Sequence, residues 1–143
     1  MAAVVLENKE LHISAASSET SLLLTSTPSR LFILYSSLLT LTVIEKNLPF
    51  SINRVYYIYN LTDQERGFHR HKITKQALIA INGSCEVYCN NNGVEQIFVL
   101  NSPDEALILE PEDWHIMRNF KEKTILLVLA STEYDSNDYL SEK

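Results

Sequence analysis

The chain has 143 residues, of which 45% are hydrophobic and 21% are charged, and its formal net charge is −6. This length predicts a single domain with a core of its own, and the composition excludes an intrinsically disordered chain. The negative charge argues against nonspecific binding to nucleic acid, because such binding requires a basic surface.

The N-terminal 30 residues carry the weakest structural signal. They are rich in Ser, Thr and Ala and contain one short apolar run, Leu22–Leu24. This pattern fits either a loosely ordered extension or an irregular pair of strands. No basic region precedes an apolar one at the start of the chain, so no signal peptide is predicted.

The most apolar stretch runs from Leu31 to Ile44. It is shorter than a membrane-spanning helix, which needs about 20 apolar residues, and it is interrupted by Ser36 and Ser37. We therefore predict buried strands here and no membrane association.

Short strands dominate the rest of the chain, because β-branched and aromatic runs alternate with turn residues. Asn82-Gly83 lies between two such runs and predicts a hairpin, and Asn90-Asn-Asn-Gly93 predicts a second turn. One or two helical turns are predicted in the tail, around Glu133 to Leu140. Many short strands at close spacing indicate an all-β sandwich or barrel. The predicted strands are 38–44, 52–59, 75–81, 84–89, 94–100, 106–109, 116–120 and 124–130.

Two cysteines, Cys85 and Cys89, are too few for a disulfide scaffold. On one strand their Cα atoms would be roughly 13 Å apart, whereas a disulfide needs less than about 7 Å. We expect two reduced thiols, and with them a cytoplasmic protein.

The histidines form the main candidate site. His69 and His71 are two residues apart in Arg66-Gly-Phe-His69-Arg-His71-Lys72, so on a strand both point to the same face. Five residues after His71 comes Gln76, and Gly83 follows. Pro111, His115 and Asn119 form a later cluster.

This spacing resembles the cupin signature, which has His-x-His, Glu and Gly in one motif and Pro-x-Gly, His and Asn in a second. The resemblance implies a single-domain jelly-roll barrel. Gln76 stands at the position of the cupin glutamate, and Asp113 replaces the glycine of the second motif. A neutral amide is a weak metal ligand, so we predict no metal and direct acid–base work by the histidines.

Within the cupins, residues 38–143 resemble the sugar 3,4-ketoisomerases that act on dTDP-4-keto-6-deoxyglucose. The resemblance leaves residues 1–37 as an atypical N-terminal segment, with Tyr35-Ser36-Ser37 where the family carries Asp-x-Arg-Gly. Arg70 replaces a small family residue, and on a strand it would face away from His69 and His71. The matching segments are 47–58, 66–72, 75–76, 82–85, 101–103, 114–115, 127–131, 134–135 and 138–139.

Moving a ketone from C4 to C3 needs a base near the C3 hydrogen and donors for the enediolate oxygen. By resemblance His71 is the base, and His69 orients or donates. The resemblance also implies catalytic roles for His115 and Tyr57, although Tyr57 could instead be a packed strand tyrosine. No redox cofactor is implied, and the sequence has no glycine-rich dinucleotide motif. The candidate substrate-binding residues are Arg66, Lys72, Arg54, Gln76 and Trp114.

The expected ligand is a dTDP-linked keto-deoxysugar, bound by a homodimer. Arg66 and Lys72 could hold the diphosphate or be surface charges. Trp114 could stack on thymine or belong to the core. Two other functions stay open, a sugar-binding cupin without catalysis and a metal-dependent cupin enzyme.

Overall fold

The structure is a computed structural model that describes residues 4–6, 32–36, 39–61 and 64–142. Strands account for nearly all of its regular structure, and a 3₁₀ turn, Ser136–Asp138, precedes the last strand. This turn is the only helical element within those ranges, and it lies in the tail segment predicted to be helical. The strands are β1 Val4–Leu6, β2 Phe32–Ser36, β3 Leu39–Val43, β4 Arg54–Ile58, β5 Arg66–His71, β6 Gln76–Asn82, β7 Cys85–Asn91, β8 Val94–Leu100, β9 Ala106–Leu109, β10 Trp114–Arg118, β11 Ile125–Ala130 and β12 Tyr139–Leu140.

Ten of the strands form two five-stranded sheets. The first sheet has the order β1-β9-β6-β11-β4, and the second has the order β12-β5-β10-β7-β8. All pairings are antiparallel, and β2 and β3 form a separate hairpin. The predicted all-β cupin jelly roll is confirmed. The apolar 124–130 run becomes β11, an internal strand as its two apolar faces indicate.

The main core lies between the sheets and follows from strand alternation. Leu78 and Ala80 point inward from β6, and Val87 and Cys89 point inward from β7. Both cysteines are free and buried, as predicted. At one end of the barrel the inward-facing side chains of the strands are polar instead of apolar. This end forms the candidate site.

The outer face of the first sheet is only partly covered. Ile79 and Leu129 pack there against Ile44, Leu48 and Phe50. Farther along, the outward side chains of the edge strand β4 remain exposed. No helix of the described residues is long and apolar enough to cross a membrane.

Both bounds of β10 differ from the predicted ones by two residues. β10 begins at Trp114 instead of Ile116, because Trp114 and His115 pair with Asn90 and Cys89 of β7. It ends at Arg118 because Asn119 has a left-handed backbone, with φ of 52°. Part of the N-terminal region lies outside the described residues, namely 1–3, 7–31, Ser37 and Leu38. The apolar run Leu22–Leu24 and the predicted boundary between the N-terminal segment 1–37 and the domain 38–143 therefore also lie outside them.

Candidate active site

The three histidines of the two motifs converge inside the barrel. Alternation along β5 points His69 and His71 inward, and β10 places His115 directly opposite His69. The ring centroids of His69 and His71 are 5.1 Å apart, and those of His69 and His115 are 4.8 Å apart. His115 is only 1% exposed. The predicted common face of His69 and His71 is therefore observed, and β10 completes the cluster.

Gly67 makes this close approach of β5 and β10 possible. It has φ of +103°, and a Cβ atom there would lie 2.6 Å from the backbone oxygen of His115. The carbonyl of Gly67 also lies 2.9 Å from Nδ1 of His69. A larger residue would push the strands apart at the point where the imidazoles meet.

His71 is held by a carboxylate that the sequence did not identify as a site residue. Its Nδ1 lies 2.7 Å from Oδ2 of Asp138, and its Nε2 is buried with no hydrogen-bond partner among the described residues. The backbone N–H groups of Lys72 and Ile73 donate to Oδ1 of Asp138. The hydroxyl of Thr74 donates to the other oxygen. Several hydrogen-bond donors thus hold the Asp138 carboxylate in place, and this carboxylate orients the imidazole of His71.

Burial sets the charge of this cluster. Desolvation lowers the pKa of His115 to about 3, with a further lowering by His69. Desolvation also lowers the pKa of His71, although the hydrogen bond to Asp138 opposes the shift. Burial would raise the pKa of Asp138, but hydrogen bonds from Thr74, Ile73 and His71 outweigh it and lower that pKa to about 2. At neutral pH the imidazoles of His71 and His115 are therefore neutral, and Asp138 is a carboxylate.

Strand β4 contributes Arg54 and Tyr56 to the same interior. The Arg54 guanidinium carbon lies 5.3 Å from the Tyr56 ring centroid and 5.7 Å from that of Tyr134. Nε2 of the buried Gln76 donates to the Tyr56 hydroxyl at 3.2 Å. Two of the predicted binding residues, Arg54 and Gln76, are therefore brought to the site.

Tyr139 is a second residue that sequence reasoning did not select. It pairs with His71 across β12 and β5. Its ring centroid lies 4.7 Å from that of His71 and 4.8 Å from that of His69. Asp138 and Tyr139 both lie in a segment that carries the family resemblance, and this was the only available signal.

Tyr57, which was predicted to be catalytic, does not lie with the histidines, because alternation places Tyr57 on the outer face of β4 and Tyr56 inside. Tyr57 is 56% exposed and is paired with Leu127. An assignment one residue away on a strand reverses the face on which a side chain lies.

Trp114 also faces away from the histidines, because it precedes the inward His115 on β10. Its Nε1 donates to the backbone oxygen of Ser141, and its ring packs edge-on against Phe68 and Tyr88. Trp114 is therefore a packing residue, the second of its two predicted roles, and its side chain does not reach the barrel interior.

The two flanking cations do not point into the cluster. Arg66 is exposed, pairs with Met117 beyond the register shift between β5 and β10, and donates to the Gln64 side chain. Lys72 is exposed in the bend that follows β5. Arg70 faces away from His69 and His71, as strand alternation predicts.

The family model described as FdtA: WxcM-like, C-terminal, matches residues 12–143. The chain belongs to the FdtA family. This FdtA-family chain is 44% identical over 98 residues to the TDP-4-oxo-6-deoxy-alpha-D-glucose-3,4-oxoisomerase of Aneurinibacillus thermoaerophilus. The matched region covers 68% of this chain and 70% of that protein.

Solved structures similar to this FdtA-family chain are also sugar isomerases. QdtA of Thermoanaerobacterium thermosaccharolyticum, a sugar 3,4-ketoisomerase solved with TDP, is 39% identical with a TM-score of 0.76, over 79% of this chain and 85% of QdtA. WlaRA of Campylobacter jejuni, a TDP-fucose-3,4-ketoisomerase, is 30% identical with a TM-score of 0.78, over 99% of this chain and 90% of WlaRA.

The donor set of this FdtA-family site does not fit the metal that many cupins hold. Gln76, at the position of the cupin glutamate, is neutral, and its amide is engaged with Tyr56. Within the described ranges no three His, Cys, Asp or Glu side chains are grouped to hold a metal ion.

Proposed function

We propose that this protein is a nucleotide-sugar isomerase that moves the ketone of dTDP-4-keto-6-deoxyglucose from C4 to C3, in deoxysugar biosynthesis. The observation that carries the proposal is the buried His71–Asp138 pair, whose free Nε2 belongs to an inward-facing imidazole of the barrel. The similar 3,4-ketoisomerases support the choice of reaction.

His71 is the proposed base. The hydrogen bond from Nδ1–H to Asp138 leaves a lone pair on Nε2, where the C3 proton is taken up. The carboxylate then stabilises the imidazolium that forms. Because desolvation lowers the pKa of His71, the imidazole is already neutral and ready to accept a proton at neutral pH.

His69 and His115 are proposed to orient the sugar. Both donate Nδ1–H to backbone carbonyls, of Gly67 and Asp113 respectively, so their Nε2 atoms are hydrogen-bond acceptors. His115 is a poor proton donor, because its pKa of about 3 keeps it neutral. His69, between the other two rings, is the better candidate to exchange a proton with the sugar.

The diphosphate is proposed to bind near Arg54. This cation points inward at the end of the barrel that holds the histidines, and its Nε has no hydrogen-bond partner among the described residues. Guanidinium groups bind phosphate oxygens well because they present several donors in one plane. Lys72 and Arg66 remain proposed as outer contacts.

The test is the His71→Asn variant. Asparagine can keep a hydrogen bond but cannot take up a proton near neutral pH, so we expect a turnover loss on the order of 10²-fold or more with sugar binding preserved. Steady-state kinetics and solvent deuterium incorporation into the sugar are measured together, with His69→Asn as the comparison.

Each alternative function gives a distinct result in the same preparation. A wild type that binds the sugar without deuterium exchange would instead be a binding cupin. Activity that depends on one equivalent of a tightly bound metal would support the metal-dependent alternative. Wild-type turnover by His71→Asn would move the base to another imidazole.

We further propose a cytoplasmic homodimer. The two free, buried thiols support a reducing compartment. On the edge strand β4, Val55 and Tyr57 are 52% and 56% exposed, and Tyr59, just beyond the strand, is 62% exposed. The two tyrosines line an open groove of about 600 Å³ with Ile81 and Ile125. An exposed apolar patch of this kind is typical of a contact between proteins.

A further inference from the structure

A chain of two hydroxyl groups supports the carboxylate that holds His71. Asp138 is ionised at neutral pH and can only accept hydrogen bonds, so the Thr74 hydroxyl donates its single proton to Oδ2 of Asp138. The hydroxyl oxygens of Thr74 and Thr132 also lie within hydrogen-bond distance of each other. Because the Thr74 proton is already used, Thr132 is the donor in this second bond. The chain therefore runs from Thr132 through Thr74 to Asp138.

The Asp138 carboxylate accepts two hydrogen bonds on each oxygen. The backbone N–H groups of Lys72 and Ile73 donate to Oδ1. The Thr74 hydroxyl and Nδ1–H of His71 donate to Oδ2. A carboxylate has about four lone-pair sites, so these donors occupy it fully. Thr74 and His71 are both buried and share one oxygen, so the two side chains compete for the same negative charge.

That charge governs how readily His71 holds a proton. The ionisable groups that face His71 are His69 on its own strand, His115 on β10, Arg54 on β4, and Asp138 and Tyr139 in the tail. Desolvation is the largest effect on the pKa of His71 and lowers it, whereas the hydrogen bond to Asp138 raises it. Burial would raise the pKa of Asp138, and the bond from Thr74 is the largest effect that lowers it. A donor that stabilises the carboxylate thus also weakens its attraction for an imidazolium.

We propose that Thr74 is a positioning residue for the base His71. Its hydroxyl holds Oδ2 of Asp138 against Nδ1 of His71 and limits the pull of the carboxylate on a protonated imidazole. Thr132 acts through Thr74 by fixing the direction of the Thr74 hydroxyl. The inference rests on the proposed isomerase function. His71 has to be neutral before it takes the C3 proton on Nε2 and has to release a proton before the next turnover, and a moderated carboxylate serves both needs.

The experiment measures the pH dependence of kcat/KM for Thr74→Val and Thr74→Ser. Valine cannot donate, whereas the two backbone N–H groups still hold Oδ1 of Asp138. The carboxylate should then attract the imidazolium more strongly, so the acidic limb of the profile should move to higher pH by about half a unit or more. Turnover on the alkaline plateau should change by less than about 10-fold, because the base itself is intact. Serine keeps the hydroxyl and should restore the wild-type limb.

Two further threonine variants separate the hydroxyl chain from the loss of any buried hydroxyl. Thr132→Val should shift the limb in the same direction but less, since Thr74 still donates. Thr74→Val/Thr132→Val should shift no further than Thr74→Val, because Thr132 acts through Thr74. Thr124 is the matched control: it is similarly buried, and its hydroxyl contacts the backbone oxygens of Ser84 and Lys121 at the opposite end of β11. Thr124→Val should lower stability and leave the pH profile unchanged.

Three kinetic results would overturn the role of the hydroxyl chain. The first is an acidic limb of Thr74→Val at the wild-type position. The second is a shift in the double variant that equals the sum of the single shifts. The third is an equal shift in Thr124→Val. Thermal unfolding of each variant checks that the fold is kept.

A nitrogen NMR titration of the imidazoles tells failure of this inference from failure of the proposed function. The His71 signals are identified by their loss in His71→Asn, and they should titrate at higher pH in Thr74→Val than in the wild type. That shift, in a protein that neither isomerises the sugar nor exchanges deuterium, would overturn the proposed function alone. An active wild type whose Thr74→Val variant shows no shift by NMR or by kinetics would overturn the inference alone.

Discussion

Three inward-facing imidazoles differ in what holds their Nδ1 atoms. His69 and His115 donate to backbone carbonyls, whereas His71 donates to the Asp138 carboxylate. All three therefore direct Nε2 away from the support of Nδ1, but only His71 has a negative charge behind it. That charge would stabilise the imidazolium formed by proton removal, and this difference supports the proposed role of His71 as the base.

We predict that Asp138→Asn inactivates the site through the tautomer of His71. Two backbone N–H groups bind Oδ1 of Asp138, so the single amide oxygen should take that position. The amide N–H₂ then faces Nδ1 of His71 and makes it an acceptor, which places the proton on Nε2 and blocks the base. Turnover should fall by about 10²-fold or more with KM nearly unchanged. Normal turnover with an unchanged pH profile would contradict this.

Stability should fall as pH drops below 6.5. In the unfolded chain His71 and His115 protonate near the ordinary value of 6.5, whereas in the folded state both pKa values are lowered, that of His115 to about 3. The unfolded state therefore binds more protons in this window, and unfolding becomes easier on acidification. The stability that Asp138 contributes should be lost only as pH falls from 3.8 towards 2.

The measurement is the thermal midpoint from pH 7.5 to 4.5, for the wild type and His115→Gln. The variant should be less stable at pH 7.5 but should show a smaller decline on acidification, because one of the two titrating imidazoles is gone. Equal declines in both proteins would show that His115 does not titrate as proposed.

At the scale of elements, the contact between β5 and β10 assembles the site. His69 pairs with His115, and the register shifts between His115 and Ile116. At the shift the backbones approach so closely that only a glycine fits at position 67. A local irregularity of this kind is a common way to aim side chains into a site.

We predict that Gly67→Ala costs about 3 kcal/mol, from backbone strain and contact with the His115 carbonyl, and also lowers activity. Gly93→Ala is the matched control. It has a φ of +87° but nothing within 4 Å of an added Cβ, so only the strain of about 1 kcal/mol is expected. Denaturant unfolding compares the two, and an equal loss for both would show that the close approach is not limiting.

At the scale of the whole molecule, the two faces of the first sheet have different environments. Its inner face packs on the second sheet, whereas Val55 on the outer face of β4 is 52% exposed. We predict that sedimentation shows a dimer and that Val55→Asp shifts it towards monomer, because a charge in an apolar contact is costly. Ile97→Asp, at a similarly exposed position of β8 in the other sheet, should leave the dimer intact.

The sequence by itself determined most of the strands and the common face of His69 and His71. These features depend on local period and turn chemistry, which are written in consecutive residues. The choice of a jelly roll among all-β folds was implied by the family resemblance. Gln76 and Arg54 were also identified as site residues, because the motifs carried them. Tyr57 was predicted in place of its inward-facing neighbour Tyr56, because a one-residue difference along a strand changes the face.

Only the tertiary structure decided which residues support the catalytic groups. Asp138 is 67 residues from His71 in the chain, and no spacing rule links them. The packing of the tail against β5 brings Asp138 and Tyr139 to the histidines, and the β4–β11–β6 order brings Tyr56 to Gln76. Contacts between distant segments depend on strand order and register, which follow from packing the whole core and not from any local pattern.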